Sequence, residues 1–173
     1  MRTLLVLILG SLLSAPALAA PPQELWREAR VRPQDPRLIQ LLGDGMARSA
    51  TLRSLVNRLE AGNVIVYVSL SQTLKSSLAG KLTWMTKAGN FRYVKATINA
   101  DQTANEMIAT LAHELQHALE VSADGDVTDQ RSLTALYQRI GRRSRSGLIE
   151  SWETQEAHDT GVRVRRELLS AAL

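Results

Sequence analysis

The 173-residue chain contains no cysteine. That excludes a disulfide scaffold, a Cys-ligated zinc finger, a thiol nucleophile and a Cys-anchored lipoprotein. Histidine is nearly as scarce, at three residues: His113, His117 and His158. Any bound metal must therefore be held by these imidazoles and by carboxylates. Aromatic residues make up 4% of the chain. Trp26, Trp84 and Trp152 stand as scattered singles, which suits core or rim packing better than a sugar-binding platform. No dense Lys/Arg tract and no aromatic-interleaved RNA motif is present, so nucleic acid is not an expected partner. Asp44-Gly45 reads as a turn, since no GxxxxGK phosphate loop follows it. There is no internal repeat.

What is there begins with an address. Met1-Arg2 supplies a positive charge, Leu4 to Leu13 is a short apolar run, and Pro16 precedes the small residues Ala17-Leu18-Ala19-Ala20. A basic start, a short apolar stretch and an A-x-A end predict a secretory signal peptide over residues 1–20. The run is shorter than the roughly 20 apolar residues of a span, so no membrane span is expected after cleavage. The protein is thus expected to be exported, to a bacterial periplasm or the extracellular space. Its net charge of +4 is unevenly spread. Residues 21–100 hold 12 basic and 5 acidic residues, whereas residues 101–173 hold 8 and 12. The cluster Arg139, Arg142, Arg143 and Arg145 reads as a solvated helix end, where cations suit the helix dipole.

Residues 21–36 read as a Pro-rich extended lead-in, and 37–173 as a single domain. Asp35-Pro36 predicts a helix start, with Asp as N-cap and Pro in the first turn. Leu38, Leu41, Leu42, Met46, Leu52, Leu55, Val56 and Leu59 are spaced for one or two helices, with a break or kink expected at Gly43 and Gly45. Asn63 to Leu70 is β-branched and continuous, which predicts a central, buried strand. Lys81–Thr86 and Phe91–Asn99 are two further strand candidates, joined by a turn over Lys87-Ala88-Gly89-Asn90. Val94, Ala96 and Ile98 would share one face. Thr103-Ala104-Asn105-Glu106 fits a capping box, and helical spacing then runs to Val121. Ser122 to Asp126 reads as a loop, Leu133 to Ile140 as a second helix ended by Gly141, and Leu148 to Leu169 as a third. Strands first and helices later predict an α+β fold.

His113-Glu114-Leu115-Gln116-His117 is an HExxH sequence. Residues four apart lie one above the other on a helix face, so two imidazoles at this spacing can bind one zinc ion. Glu114, beside the first ligand, can reach a water on that metal and act as general base. With three His and ten Glu in the chain, about 0.003 such matches are expected by chance. A catalytic zinc keeps three protein ligands. Placed on the predicted helix 148–169, Glu153 falls in the middle of the apolar stripe formed by Ile149, Ala157, Val164 and Leu168. A lone carboxylate there is costly unless a metal or charge meets it. Glu153 is therefore the first candidate for the third ligand, Glu156 the second and His158 the third. Asp124, Asp126 and Asp129 in the nearby loop are weaker alternatives, because solvated turn acids look the same.

The stretch Thr110-Leu111-Ala112-His113-Glu114-Leu115-Gln116-His117-Ala118-Leu119, with strands before it and an acidic residue on a later element, resembles the zincin metallopeptidases. Glu120 and Ala123 exclude the metzincin extension, which needs Gly and His there. A glutamate third ligand makes the pattern similar to the gluzincins. The resemblance implies a zincin-like fold: a small mixed or antiparallel sheet, then the HExxH active-site helix, then C-terminal helices. It implies an upstream edge strand that pairs with an extended peptide or protein substrate. It also implies peptide-bond hydrolysis in which Glu114 activates a zinc-bound water. Tyr137, His158 and Arg142 are the candidate oxyanion donors, with Tyr137 also fitting the core. The competing expectations are a non-catalytic exported metal- or partner-binding domain and a zinc amidase acting on cell-wall peptides.

Overall fold

A computed structural model describes residues 28–74, 78–146 and 149–171. The leader expected over residues 1–20 lies outside the described residues. In chain order the elements are β1 (Val31–Pro33), α1 (Pro36–Arg48), α2 (Ala50–Glu60), β2 (Val64–Ser71), β3 (Gly80–Ala88), β4 (Phe91–Asn99), α3 (Ala104–Ala123), α4 (Gln130–Ile140), β5 (Arg142–Ser146), β6 (Ile149–Glu153) and α5 (Gln155–Ser170). The class is α+β. Among the described residues no helix is long and apolar enough to cross a membrane.

The sheet runs in the order β1-β2-β4-β3. Strand β2 is central, paired in parallel with both β1 and β4. Its Val64, Val66 and Val68 are fully buried, as the unbroken β-branched run predicts. Strands β3 and β4 form an antiparallel hairpin. Gly89, in the turn, has φ of +56°, the backbone region that tight hairpin turns require and that glycine occupies at no steric cost. A register shift between Trp84 and Thr86 bends the far half of β3. Within this sheet β3 has one paired side only, so its outer edge offers backbone donors and acceptors.

Helix α3 is the hub of the core. The reciprocal Thr103–Glu106 capping box starts it. Met107, Ile108, Leu111, Leu115 and Ala118 pack into the apolar cluster with β2, β4, α1, α2 and α5. Its far end is held by Arg92, only 3% exposed, whose guanidinium donates to the carbonyls of Val121 at 2.7 Å and Ser122 at 3.1 Å, and also to Asp124. Asn63 Oδ1 accepts a further bond at 2.6 Å. A buried guanidinium is tolerable because three backbone carbonyls at the helix end and the Asn63 side-chain oxygen accept its N–H groups. Burial pushes its pKa down, with Asp124 opposing. At the other end of the core, Glu167 on α5 accepts from Ser49 Oγ, Thr51 N and Thr51 Oγ1 at 2.5–3.1 Å. That carboxylate completes the N-terminus of α2 from 116–118 residues away.

Three expectations change. Of the expected extended lead-in, the described residues from 28 onward include one strand, Val31–Pro33, paired as β1. Helix α1 continues through Gly43 and Gly45 instead of breaking there. Gly45 is buried, and a Cβ on it would stand 2.7 Å from Ile108 Cγ2 and Leu52 Cδ2, so this glycine permits close packing. The first helix runs to Arg48 and Ser49 caps a second, within the expectation of one or two helices. The largest change is at the C-terminus: residues 148–169 are not one helix. Arg142–Ser146 and Ile149–Glu153 form an antiparallel hairpin, and the helix begins only at Gln155, with Thr154 as N-cap. Three of the four clustered arginines accordingly lie on a strand, not on a helix end.

Candidate metal centre

The HExxH helix, the end of β6 and the first turn of α5 meet at one point. His113, His117 and Glu153 each present one ligand atom, and these atoms all lie within 4.8 Å of one another. His113 Nε2 is 3.2 Å from Glu153 Oε1, and His117 Nε2 is 4.0 Å from the same oxygen. Three atoms bonded at ~2.0–2.2 Å to one tetrahedral ion lie roughly 3.3 Å apart. Glu153 Oε1 is buried and has no hydrogen-bond partner, an orphaned acceptor of the kind a cation satisfies. Two imidazoles and one carboxylate are the donor set of hydrolytic zinc sites. The residues present therefore fit a metal ion.

Each imidazole has a further polar partner. The Ala157 carbonyl hydrogen-bonds the His113 ring. His117 Nδ1 lies 2.8 Å from Glu120 Oε2. Burial pushes the His113 pKa down to about 3, with the neighbouring His117 and His158 adding to it and the Ala157 carbonyl opposing. His113 is thus neutral, the state a ligand needs. Burial also works to lower the His117 pKa, but Glu120, Glu114 and Glu153 together raise it.

Glu114 is 4% exposed and its Oε2 has no partner. Burial lifts its pKa to about 7; His117 opposes that rise, while Glu153 and Glu120 add to it. A carboxyl poised there can both take and return a proton near neutrality. Over it lies the edge strand. A Cβ on Gly80 would sit 2.7 Å from Glu114 Oε1 and from Thr110 Cγ2. Gly80→Ala is therefore expected to displace Glu114 or the strand edge. It should lower any turnover by at least about tenfold, since misplacement by 1 Å can cost 10²-fold. Metal content measured alongside should stay stoichiometric.

A cleft of about 980 Å³ runs past these groups. Leu78 to Leu82 of the edge form one wall, and Leu133, Tyr137 and Trp152 contribute to the other. The remaining sequence candidates separate clearly. Glu156 is exposed on the first turn of α5 and outside the ligand group, and His158 is outside it too. Asp124 is taken up by Arg139 and the Asp126 amide, and Asp129 caps α4. Tyr137 is buried and donates its hydroxyl to the His117 carbonyl at 3.0 Å. Arg142 does not line the cleft, whereas His158 does.

Comparison with protein-family models, curated proteins and solved structures gave no match.

Three contributors lie outside the sequence expectation: Glu120, Thr154 and Gly80. Glu120 had a readable signal, since i+3 on a helix places its carboxylate beside His117. Thr154 had a weaker one, as a Thr followed three residues later by Ala157 in a helix-start position. Gly80 had none. Its role depends on the edge strand crossing Glu114, which only the tertiary fold arranges.

Proposed function

We propose that this protein is an exported zinc-dependent peptidase. The observation that carries the reading is the convergence of His113, His117 and Glu153 beside a buried, unpartnered Glu114. Bound there, zinc supplies Lewis acidity toward a carbonyl oxygen and a water of lowered pKa. The chain supplies the rest. The outer edge of β3 holds an extended peptide by backbone pairing, and Gly80, lacking a Cβ, lets that edge pass close over Glu114. Glu114 takes a proton from the attacking water as the new carbon–oxygen bond forms. It returns that proton to the amine nitrogen as the carbon–nitrogen bond breaks. His158, exposed and on the cleft wall, is the side chain assigned to the carbonyl oxygen as negative charge develops.

The cleft wall favours peptide over a compact small molecule, because it extends along several residues of a free strand edge. The test uses the mature chain reconstituted with zinc. One equivalent of metal, together with cleavage of a peptide library that a chelator abolishes, is the expected result. Cleavage of purified cell wall alone would move the substrate class to peptidoglycan cross-links. Stoichiometric metal with no hydrolysis of either would leave a metal-binding domain without catalysis. Absence of stoichiometric metal after reconstitution would end the proposal.

A further inference from the structure

Glu120 is a half-buried carboxylate with both oxygens committed. Oε2 faces His117 Nδ1 at 2.8 Å, and Oε1 accepts the Thr154 hydroxyl at 2.6 Å. Thr154 is 4% exposed, follows Glu153 directly, and accepts from the Ala157 amide at 3.1 Å as N-cap of α5. Ala157 in turn holds the His113 ring through its carbonyl. One short segment, Thr154 to Ala157, therefore touches the supports of all three candidate ligands.

We propose that Glu120 and Thr154 form a clasp that positions the metal centre, fixing His117 in the tautomer that leaves Nε2 free and locking Glu153 in register with it. The reasoning is chemical. A neutral imidazole carries one proton, and a carboxylate at Nδ1 accepts it there, so Nε2 keeps its lone pair. Nε2 is the nitrogen that faces Glu153. The second oxygen makes the clasp more than a tautomer device. It joins helix α3 to the strand end that supplies Glu153, so the helical pair and the distant acid move as one unit. That bond ties the residue next to Glu153 directly to α3. A half-buried carboxylate beside Glu114 and Glu153 is otherwise an unfavourable choice, since like charges crowd the site.

The clasp rests on the metal-site reading for its purpose but not for its detection. Nitrogen-detected NMR of the metal-free protein at alkaline pH reports the His117 tautomer without metal or activity. The wild type is expected to hold the Nδ1–H form, and Glu120→Ala to populate Nε2–H. Zinc affinity, measured by chelator competition, should fall 10–100-fold in Glu120→Ala. Thr154→Val, which keeps shape and removes the hydroxyl, should lose severalfold, and the double variant should lose less than the product of the two. Glu120→Gln, whose amide oxygen still accepts from Nδ1–H, should recover most of the tautomer signal. If Glu120→Ala fails to fold, Thr154→Val and Glu120→Gln carry the same test. A wild-type protein with Nε2–H at His117, or Glu120→Ala and Thr154→Val variants that both bind zinc within twofold of wild type, would overturn the clasp. An intact tautomer response in a wild type that binds no metal would instead retire the metal reading and leave the clasp standing as architecture.

Discussion

Glu114→Gln is expected to keep the metal and lose turnover by about 10²–10⁴-fold, the range that a positioned general base contributes. Gln has the shape of Glu but takes up no proton at neutral pH, so the attacking water keeps its hydrogen and the leaving nitrogen receives none. None of the three candidate ligands is altered, hence zinc affinity should change little. Stability gives an independent readout. The buried Glu114 carboxyl has its pKa raised to about 7 from 4.5. Between those values the native metal-free protein holds a proton that the unfolded chain releases, so native stability falls as pH rises through this window. The Gln variant lacks that penalty. Metal-free Glu114→Gln should therefore melt above metal-free wild type at pH 7 and above, with the difference closing toward pH 4.5. Thermal melts at a series of pH values, beside peptide turnover of the zinc-loaded forms, check both halves. A Gln variant that hydrolyses peptides at the wild-type rate would remove Glu114 from the chemistry.

Much of this arrangement was legible in the order of residues, and the reasons differ by element. Helix α3 was readable because a capping box and an unbroken apolar period agree. Strand β2 was readable because eight residues rich in β-branched side chains fit a central strand with one face fully buried at Val64, Val66 and Val68. The β5–β6 hairpin was not. Arg142–Ser146 reads Arg-Arg-Ser-Arg-Ser, with no apolar residue to set a period of two. Its pairing comes from its neighbour in the chain, not from its own pattern. Strand β1 is three residues long and ends in proline, too short to carry a pattern. Gly43 and Gly45 look like helix breakers, yet the helix continues through both, and at Gly45 close packing against Ile108 and Leu52 offsets the weak propensity.

Glu153 is the instructive case. The expectation reached Glu153, which the fold places beside His113 and His117, by way of a helical wheel that does not exist at that position. What survives is the physics beneath it: a carboxylate flanked by buried or half-buried neighbours needs a partner. Trp152 packs against the core, Thr154 and Ala157 are buried, and Glu153 Oε1 has no hydrogen bond. The strand end explains the placement better than the wheel. β6 terminates where Thr154 caps α5, and that turn swings Glu153 toward the two imidazoles.

Glu153→Ala should remove tight metal binding, by more than the 10–100-fold typical of losing an outer-shell partner, because a direct ligand is lost. Two histidines remain, and neither alternative replaces Glu153. Glu156 is exposed on the first turn of α5, and His158 lies outside the ligand group. Glu156→Ala is accordingly the matched control, with zinc affinity unchanged. The metal-free Glu153→Ala protein should still fold. Burial holds the Glu153 pKa above the usual carboxylate range, with His117 and His158 opposing, so its removal relieves a cost in the empty protein. Melting with and without zinc separates the two effects. A ligand held only by the native state stabilises it by about 4 kcal/mol at a thousandfold excess over Kd. For a domain of this size that raises Tm on the order of 10 °C. Wild type and Glu156→Ala should show that rise, and Glu153→Ala should show almost none. A full zinc-dependent rise in Glu153→Ala would mean that the ion sits on the histidines with a different third partner, and the Thr154-linked geometry of the centre would have to be redrawn around it.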